Sequence, residues 1–312
     1  MRPSTSRGAR GIVLLYHRVA DSLPDSHGLC VSPRTFATQA AYIAATCQAM
    51  RLEQLIEGGL ADDLPSRAVA MTFDDGYQDS LAAFEILAGF DIPATLFMTS
   101  AQLDRPEAFH YWWDVLEWAV LTPGVAGGDI QIQLPDGAQT FQLGSKSDRA
   151  TAHRALHSAL LPLDADARDH AMAPVYELRE TLRPSLPRRM SGRELREAAL
   201  NPGIEVGLHT EHHLFLPAHP TARQQREVAS NLDALEGVLG VGISTLAYPF
   251  GAWAPETADI AAALGVTLAV TTAYGSVGGQ TDRLSVPRVD VAATTASLEE
   301  QLGSLFTGTV PD

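Results

Sequence analysis

The chain has 312 residues, of which 46% are hydrophobic and 19% are charged. This composition supplies enough apolar material for a buried core and argues against general disorder. Acidic residues outnumber basic ones, 37 against 22, giving a formal net charge of -15 that excludes nucleic acid as an expected partner. We expect one domain over residues 1–312, because barrels of alternating strands and helices commonly reach this length.

No secretion signal or membrane anchor is expected. The polar N-terminal segment is followed by an apolar run, 12–16, that is too short for the core of a signal peptide. Nowhere does an uninterrupted apolar stretch approach the roughly 20 residues needed to cross a bilayer. The two cysteines, Cys30 and Cys47, fit a reducing compartment better than a disulfide-stapled domain. A cytoplasmic protein without an integral membrane segment is therefore predicted.

Short apolar runs alternate with helical patterns, which is typical of strand–helix units around a parallel sheet. Most runs are continuous rather than alternating, as expected where both faces of a strand are covered. The predicted strands are 11–17, 68–75, 94–99, 204–209, 244–249, 268–272 and 285–290. The predicted helices are 33–50, with Ser32 as its N-cap, 222–239 and 255–265.

The stretch 105–200 interrupts this rhythm. An aromatic cluster at 110–113 is followed by a predicted hairpin around 135–137, and then by helical segments at 147–182 and 191–200. We interpret this stretch as a mixed helical and hairpin insertion within the domain, with a small separate domain as the alternative.

Two adjacent carboxylates, Asp74 and Asp75, end one predicted strand and precede Gly76. Neighbouring strand residues point to opposite faces, so only a bend at the strand end brings both into one cleft. There, one carboxylate can bind a cation while the other takes a proton. The sequence Asp-Asp-Gly also suits an ordinary turn, so this motif alone does not decide between the two.

His209 and His213 lie four residues apart at the end of another predicted strand. Imidazoles at this spacing can converge on one metal ion when the intervening turn is helical. With Asp75 they would supply two nitrogens and one oxygen and leave positions open for water and substrate. A single histidine at a strand end is more often only hydrogen-bonded. The other histidines, including His27 and His157, show no pattern of partners.

Together these motifs resemble the polysaccharide deacetylase family, carbohydrate esterase family 4 with its NodB-homology domain. The motif T-F-D-D-G matches residues 72–76, H-[S/T]-x-x-H matches 209–213, and P-[Y/F]-G matches 249–251. The likeness covers about residues 10–104 and 201–290 and implies an α/β fold, a distorted (β/α)7-type barrel. It also implies a divalent metal, usually Zn2+.

The activity implied by this resemblance is removal of the N-acetyl group from an amino sugar in a polysaccharide, oligosaccharide or glycan precursor. A deformylase or amidase of the same fold acting on a small molecule is one alternative. A non-catalytic carbohydrate-binding relative is the other.

The resemblance further implies roles for the matched residues. Asp75, His209 and His213 would hold the metal, and Asp74 would be the general base. The backbone N–H of Phe250 would stabilise the oxyanion.

Two positions depart from the family pattern. Ala247 stands where the third motif usually has an arginine that orients the base, so either Arg288 replaces it from elsewhere or the base is tuned differently. The family commonly draws its general acid from a histidine near the C-terminus, yet no histidine follows His219. The chain resembles more closely the poly-N-acetylglucosamine deacetylases, whose acid lies in an early Tyr-His segment, and His17 fits that place.

Further candidates surround these groups. Tyr248, Trp253 and Trp113 are expected to contact sugar rings, because aromatic faces suit the apolar side of a pyranose, with burial in the core as the alternative for the tryptophans. Asp290 is a candidate to orient the acid or the arginine, or else to cap a turn.

Overall fold

A computed structural model describes residues 10–21, 24–105, 109–291 and 295–307. The first nine residues of the predicted domain, and 308–312 at its end, lie outside the described residues. The strands are β1 Ile12–Tyr16, β2 Arg18–Val19, β3 Cys30–Val31, β4 Gln48–Ala49, β5 Ala68–Phe73, β6 Ala94–Met98, β7 Asp129–Leu134, β8 Gly137–Gln142, β9 Ile204–Leu208, β10 Thr245–Ala247, β11 Leu268–Tyr274 and β12 Val286–Asp290.

The α-helices are α1 Pro33–Thr46, α2 Leu52–Leu60, α3 Ser80–Ala88, α4 Trp112–Leu121, α5 Lys146–Leu160, α6 Ala165–Leu182, α7 Gly192–Ala198, α8 Thr221–Leu239, α9 Pro255–Ala263 and α10 Thr295–Thr307. Two short 3-10 turns lie at Leu216–Ala218 and Pro249–Gly251. Within the described ranges, no helix is both long enough and apolar enough to span a membrane.

Seven parallel strands close into a barrel. Within the described residues the order around the barrel is β1, β5, β6, β9, β10, β11 and β12, and β12 pairs with β1 to complete the ring. The ring follows the order of the chain, as expected for successive strand–helix units. All seven predicted strands are confirmed to within a few residues, and so is the distorted (β/α)7-type barrel.

Alternating side chains divide the barrel strands between two apolar clusters. Val13, Ala70 and Phe97 belong to the cluster inside the ring. Leu14 and Met71 belong to the larger cluster that the surrounding helices share. Each strand is therefore covered on both faces, which explains why its sequence is apolar throughout.

The predicted helices are found with one notable change of length. The Ser32 hydroxyl caps α1 by accepting the Thr35 N–H at 3.1 Å. Helix α1 ends at Thr46 rather than at residue 50, because Cys47 is extended and Gln48–Ala49 pairs with the start of β5. The predicted helices 222–239 and 255–265 correspond closely to α8 and α9.

Residues between α4 and α7 add no strand to the barrel in the described part of the chain. The predicted hairpin is present as antiparallel β7 and β8, with Leu134 opposite Gly137. The helical segments predicted over 147–182 and 191–200 correspond to α5, α6 and α7. Together with α4 and the hairpin, α5 and α6 bury an apolar cluster of their own, which includes Ile132 and Leu156. That 105–200 is an insertion in a single domain stays a prediction.

Candidate active site

The polar motifs lie at the carboxyl ends of the barrel strands. Asp74 and Asp75 follow β5, His209 follows β9, and His17 follows β1. Parallel strands present these ends at the same rim of a barrel, where catalytic groups are commonly assembled. Residues from far along the chain therefore meet in one place.

A buried ion pair joins Asp74 to Arg288. The guanidinium donates to both carboxylate oxygens, at 2.7 and 2.6 Å, and also to the Thr72 hydroxyl and the Thr271 carbonyl. This pairing is the one expected if Arg288 replaces the arginine that is missing at Ala247. Burial alone would raise the pKa of Asp74, but the charge and hydrogen bonds of Arg288 lower it below the ordinary value. Asp74 is thus held as a carboxylate.

Asp75 turns into the same cleft because its backbone is left-handed, with φ of 70°. This is the bend that two adjacent carboxylates require. Gly76 also has positive φ, 71°, and a Cβ there would lie 1.9 Å from the Met98 sulfur. The Tyr111 hydroxyl donates to the Asp75 carbonyl and so helps to hold the turn.

The loop from His209 to His213 brings its two imidazoles together without forming a helix. The helical turn named above as the condition for convergence does not form, because Thr210 and His213 adopt left-handed φ values of 64° and 54°. Such backbone costs about 1–3 kcal/mol per residue and tends to be found at functional sites. The imidazole ring centroids nevertheless lie 4.7 Å apart.

Helix α8 holds this loop in place. The Asn231 side chain accepts the His209 N–H at 2.9 Å and donates to the Met98 carbonyl at 3.1 Å. The buried Glu227 carboxylate accepts from the His212 backbone and from its ring, at 2.8 and 2.9 Å. His212 therefore engages α8 rather than the cleft.

Asp75, His209 and His213 form a donor set that fits a metal ion. Their ligand atoms all lie within 4.8 Å of one another. Asp75 Oδ1 is 3.3 Å from His209 Nε2 and 3.2 Å from His213 Nε2. This oxygen is buried and has no hydrogen-bond partner in the described residues. Burial raises the pKa of Asp75, but the two imidazoles outweigh that effect and lower it.

The tautomer of His209 strengthens this argument. Its Nδ1 lies 2.8 Å from the Ala247 carbonyl, which can only accept, so Nδ1 carries the proton. Nε2 is then the ring atom that faces Asp75. Burial lowers the pKa of His209, but the nearby Asp74 and Asp75 carboxylates outweigh that effect and raise it. A bound cation would replace the Nε2 proton beside Asp75, and a carbonyl behind the ring is the usual way to orient a metal-binding histidine.

One cavity of about 220 Å³ contains both carboxylates and both histidines. His17 and Phe250 line it as well. Phe250 has left-handed φ, 59°, and a Cβ added at the following Gly251 would lie only 2.1 Å from the Thr272 hydroxyl. Only glycine fits there, which explains the closely packed turn after β10.

Several residues at this cavity escaped the sequence analysis. Tyr111 and Asn231 support the loops, and Thr272 and Leu29 line the walls. The interpretation that the remaining histidines have no pattern of partners was wrong for two of them. His27 and His157 both line the cavity, with ring centroids 4.7 Å apart.

The three aromatic residues that were predicted to contact sugar rings lie in different environments. Trp113 lines the cavity, and its Nε1–H donates to the Tyr77 hydroxyl at 2.9 Å. Tyr248 is fully buried with its hydroxyl bonded to the Leu284 carbonyl, so the prediction that it contacts substrate is wrong. Alternation along β10 turns Ala247 inward and Tyr248 outward. Trp253 is partly exposed and stacks on Tyr248 outside the cavity lining.

Asp290 ends β12 beside Leu15 of β1. Its carboxylate interacts electrostatically with His17 and with Arg288, the two groups it was expected to orient. Its support of either residue stays a prediction.

Comparison with solved structures identifies a class of fold. The chain is similar to a Streptococcus pyogenes deacetylase, PplD, in complex with acetate, at 17% identity with a TM-score of 0.61, over 95% of this chain and 99% of that one. It is also similar to IcaB from Ammonifex degensii, at 21% identity with a TM-score of 0.59, over 95% and 98% of the two chains. A third similar structure is the BpsB deacetylase domain from Bordetella bronchiseptica, at 18% identity with a TM-score of 0.53, over 93% and 98%. The fold is the deacetylase type of (β/α)7 barrel.

Family membership follows from the sequence comparison. The profile of the polysaccharide deacetylase family matches residues 61–134 and 170–269, which is more than half of the chain. The chain belongs to this family. No curated protein gave a significant match.

Proposed function

We propose that this protein is a metal-dependent hydrolase that removes the N-acetyl group from an amino sugar in a polysaccharide, oligosaccharide or glycan precursor. One observation carries the proposal. The buried Asp75 oxygen, without a hydrogen-bond partner among the described residues, faces the imidazoles of His209 and His213, next to a separate carboxylate held by Arg288. Two carboxylates with different partners suit two different tasks.

Asp75, His209 and His213 would hold a divalent metal, and their two nitrogens and one oxygen fit Zn2+. When bound, such an ion polarises the acyl oxygen of a substrate and lowers the pKa of a coordinated water toward about 7. Three protein ligands leave room for that water and the substrate. This is the pattern of catalytic rather than structural sites.

Asp74 is the general base in this proposal. It takes a proton from the attacking water as the new C–O bond forms at the acyl carbon. Arg288 keeps the carboxylate ionised and fixes its direction through two hydrogen bonds. The missing arginine at Ala247 therefore gives no support to a non-catalytic relative.

His17 is the proposed general acid, because it lines the same cavity as Asp74. It donates a proton to the departing amine as the C–N bond breaks, so that the products are acetate and a free amino sugar. The Phe250 backbone N–H is proposed to stabilise the negative charge on the acyl oxygen.

The test is acetate release from an N-acetylglucosamine oligomer, measured together with metal content. The protein is expected to carry one ion per chain, to lose activity with a chelator and to regain it with Zn2+. Asp74→Asn should abolish release, while Asp259→Asn, at an exposed position, is the matched control. Activity that survives complete metal removal contradicts the proposal.

The same assay separates the alternatives. Formate instead of acetate, from a small formylated substrate, would identify a deformylase. Binding of the oligomer by metal-loaded protein without any product would identify a carbohydrate-binding relative.

A further inference from the structure

Two histidines that have no role in the proposed mechanism form one wall of the cavity. His27 comes from the loop before β3, and His157 comes from α5. Both line the cavity that contains Asp75 and the two ligand histidines. Both also lie outside the residues that match the family profile, 61–134 and 170–269. This wall therefore lies outside the matched motifs.

Neighbouring aromatic rings pack against the two imidazoles. Their ring centroids are 4.7 Å apart, and the buried His153 ring lies 5.4 Å from His27. The Trp112 ring lies 5.0 Å from His157. Packing of this kind restricts the orientations that the His27 and His157 rings can adopt.

The loop that carries His27 is held by hydrogen bonds. The Asp25 carboxylate accepts the N–H groups of Leu29 and Cys30, at 2.8 and 3.1 Å. The Glu117 carboxylate of α4 accepts the Ser26 N–H. A loop tied at both sides of His27 can present that ring with little loss of conformational entropy on binding.

The chemistry of the wall suits an uncharged hydroxyl-rich ligand. Burial lowers the pKa of His157 to about 4 and also lowers the pKa of His27, so both rings are neutral near pH 7. A neutral imidazole offers one donor and one acceptor, and a sugar hydroxyl also donates and accepts. No lysine or arginine is present among the described lining residues to balance an anionic substituent.

We infer that His27 and His157 bind hydroxyl groups of an uncharged amino sugar and so determine which sugar reaches the proposed metal centre. This inference rests on the proposed function. Trp113 completes the pocket on the side of the metal ligands, with its ring centroid 4.7 Å from that of His213. Hydrogen bonds from one wall and an apolar aromatic surface on another are the usual elements of a small-molecule site.

The test compares two substrates of different size. An N-acetylglucosamine oligomer reaches the wall, whereas 4-nitrophenyl acetate offers an acyl group but no sugar. His157→Ala and His27→Ala are each expected to raise KM for the oligomer about tenfold, the effect of losing one hydrogen bond of about 1.4 kcal/mol, with kcat little changed. Hydrolysis of 4-nitrophenyl acetate should stay at the wild-type rate. His157→Asn, which keeps a donor and an acceptor, should recover part of the loss.

The controls keep the inference falsifiable. His170→Ala, at an exposed position of α6, should change neither substrate. An unchanged KM in both variants, or an equal loss with both substrates, overturns the inference. Preference of the wild type for a phosphorylated amino sugar over the neutral one also overturns it. Failure of the proposed function is distinguishable, because the wild type itself would then release no acetate from the oligomer.

Discussion

Replacing Arg288 by methionine tests how Asp74, the proposed base, is held. The guanidinium is fully buried and makes two short hydrogen bonds to Asp74, which is itself buried. Removing one partner of a buried pair leaves an uncompensated charge and typically costs about 3–5 kcal/mol. Arg288→Met should therefore lower the free energy of unfolding by an amount in this range, measured by urea denaturation.

The double variant Arg288→Met with Asp74→Asn isolates the cause. Because it removes both charges, it should be more stable than Arg288→Met alone, with a coupling energy of about 1–3 kcal/mol. Without Arg288, burial should raise the pKa of Asp74, so the acid limb of the pH–rate profile should move to higher pH while metal content is kept. A single-variant loss below about 1 kcal/mol, or strictly additive effects in the cycle, would refute the reasoning.

Two other predictions concern the proposed site, and a third concerns Asp114, a buried residue of α4 that accepts a hydrogen bond from the Tyr77 hydroxyl. Asp74→Asn should lose turnover and keep its metal, whereas His209→Ala and His213→Ala should lose both turnover and metal. Equal metal loss in all three variants would contradict the proposal that Asp74 acts as base while the histidines bind the metal. His17→Ala should slow amide hydrolysis at least about tenfold but ester hydrolysis with a 4-nitrophenolate leaving group little, because that group needs no proton; equal slowing would argue against its role as acid. Burial raises the pKa of Asp114 from 3.8 to about 8. The protonated carboxyl therefore stabilises the folded state fully at a pH below the pKa of Asp114 in the unfolded chain, and this stabilisation is lost as the pH rises toward 8. In urea unfolding between about pH 5 and 8, Asp114→Asn should flatten this decline, and an unchanged pH slope would refute the assignment.

The barrel could be predicted because its signal is local. Each strand is a short apolar run of the kind that both-sided burial requires, and each ends near a glycine, proline or polar residue. Strand β10 is shorter than predicted because the chain turns at Pro249–Gly251 directly after Tyr248. Strands β2 and β3, of two residues each, are too short to give a recognisable pattern.

The meeting of Asp75, His209 and His213 in one candidate metal site could be predicted for a similar reason, since each motif lies at the end of such a run. The left-handed φ at Asp75 and His213 could not be predicted, because no local sequence pattern indicates it at these non-glycine residues. The supporting hydrogen bonds, from Tyr111 to the Asp75 carbonyl and from the His209 N–H to Asn231, also come from positions whose sequence indicates no partner.

The direction of individual side chains was the second feature that could not be predicted from the sequence. Tyr248 was assigned to the substrate because it adjoins a motif, but it follows Ala247 on the opposite face of the strand, so its ring is buried between the barrel and the surrounding helices. His27 and His157 were given no role, because they meet only when α5 packs beside the loop before β3.

Whether Asp75, His209 and His213 share one metal ion can be measured by anomalous diffraction at the zinc edge, from crystals grown with Zn2+. One strong peak bounded by Asp75 Oδ1, His209 Nε2 and His213 Nε2 is expected, and none after His209→Ala. No peak between these atoms at full zinc loading, or a peak that persists there in the variant, would contradict the proposed metal site.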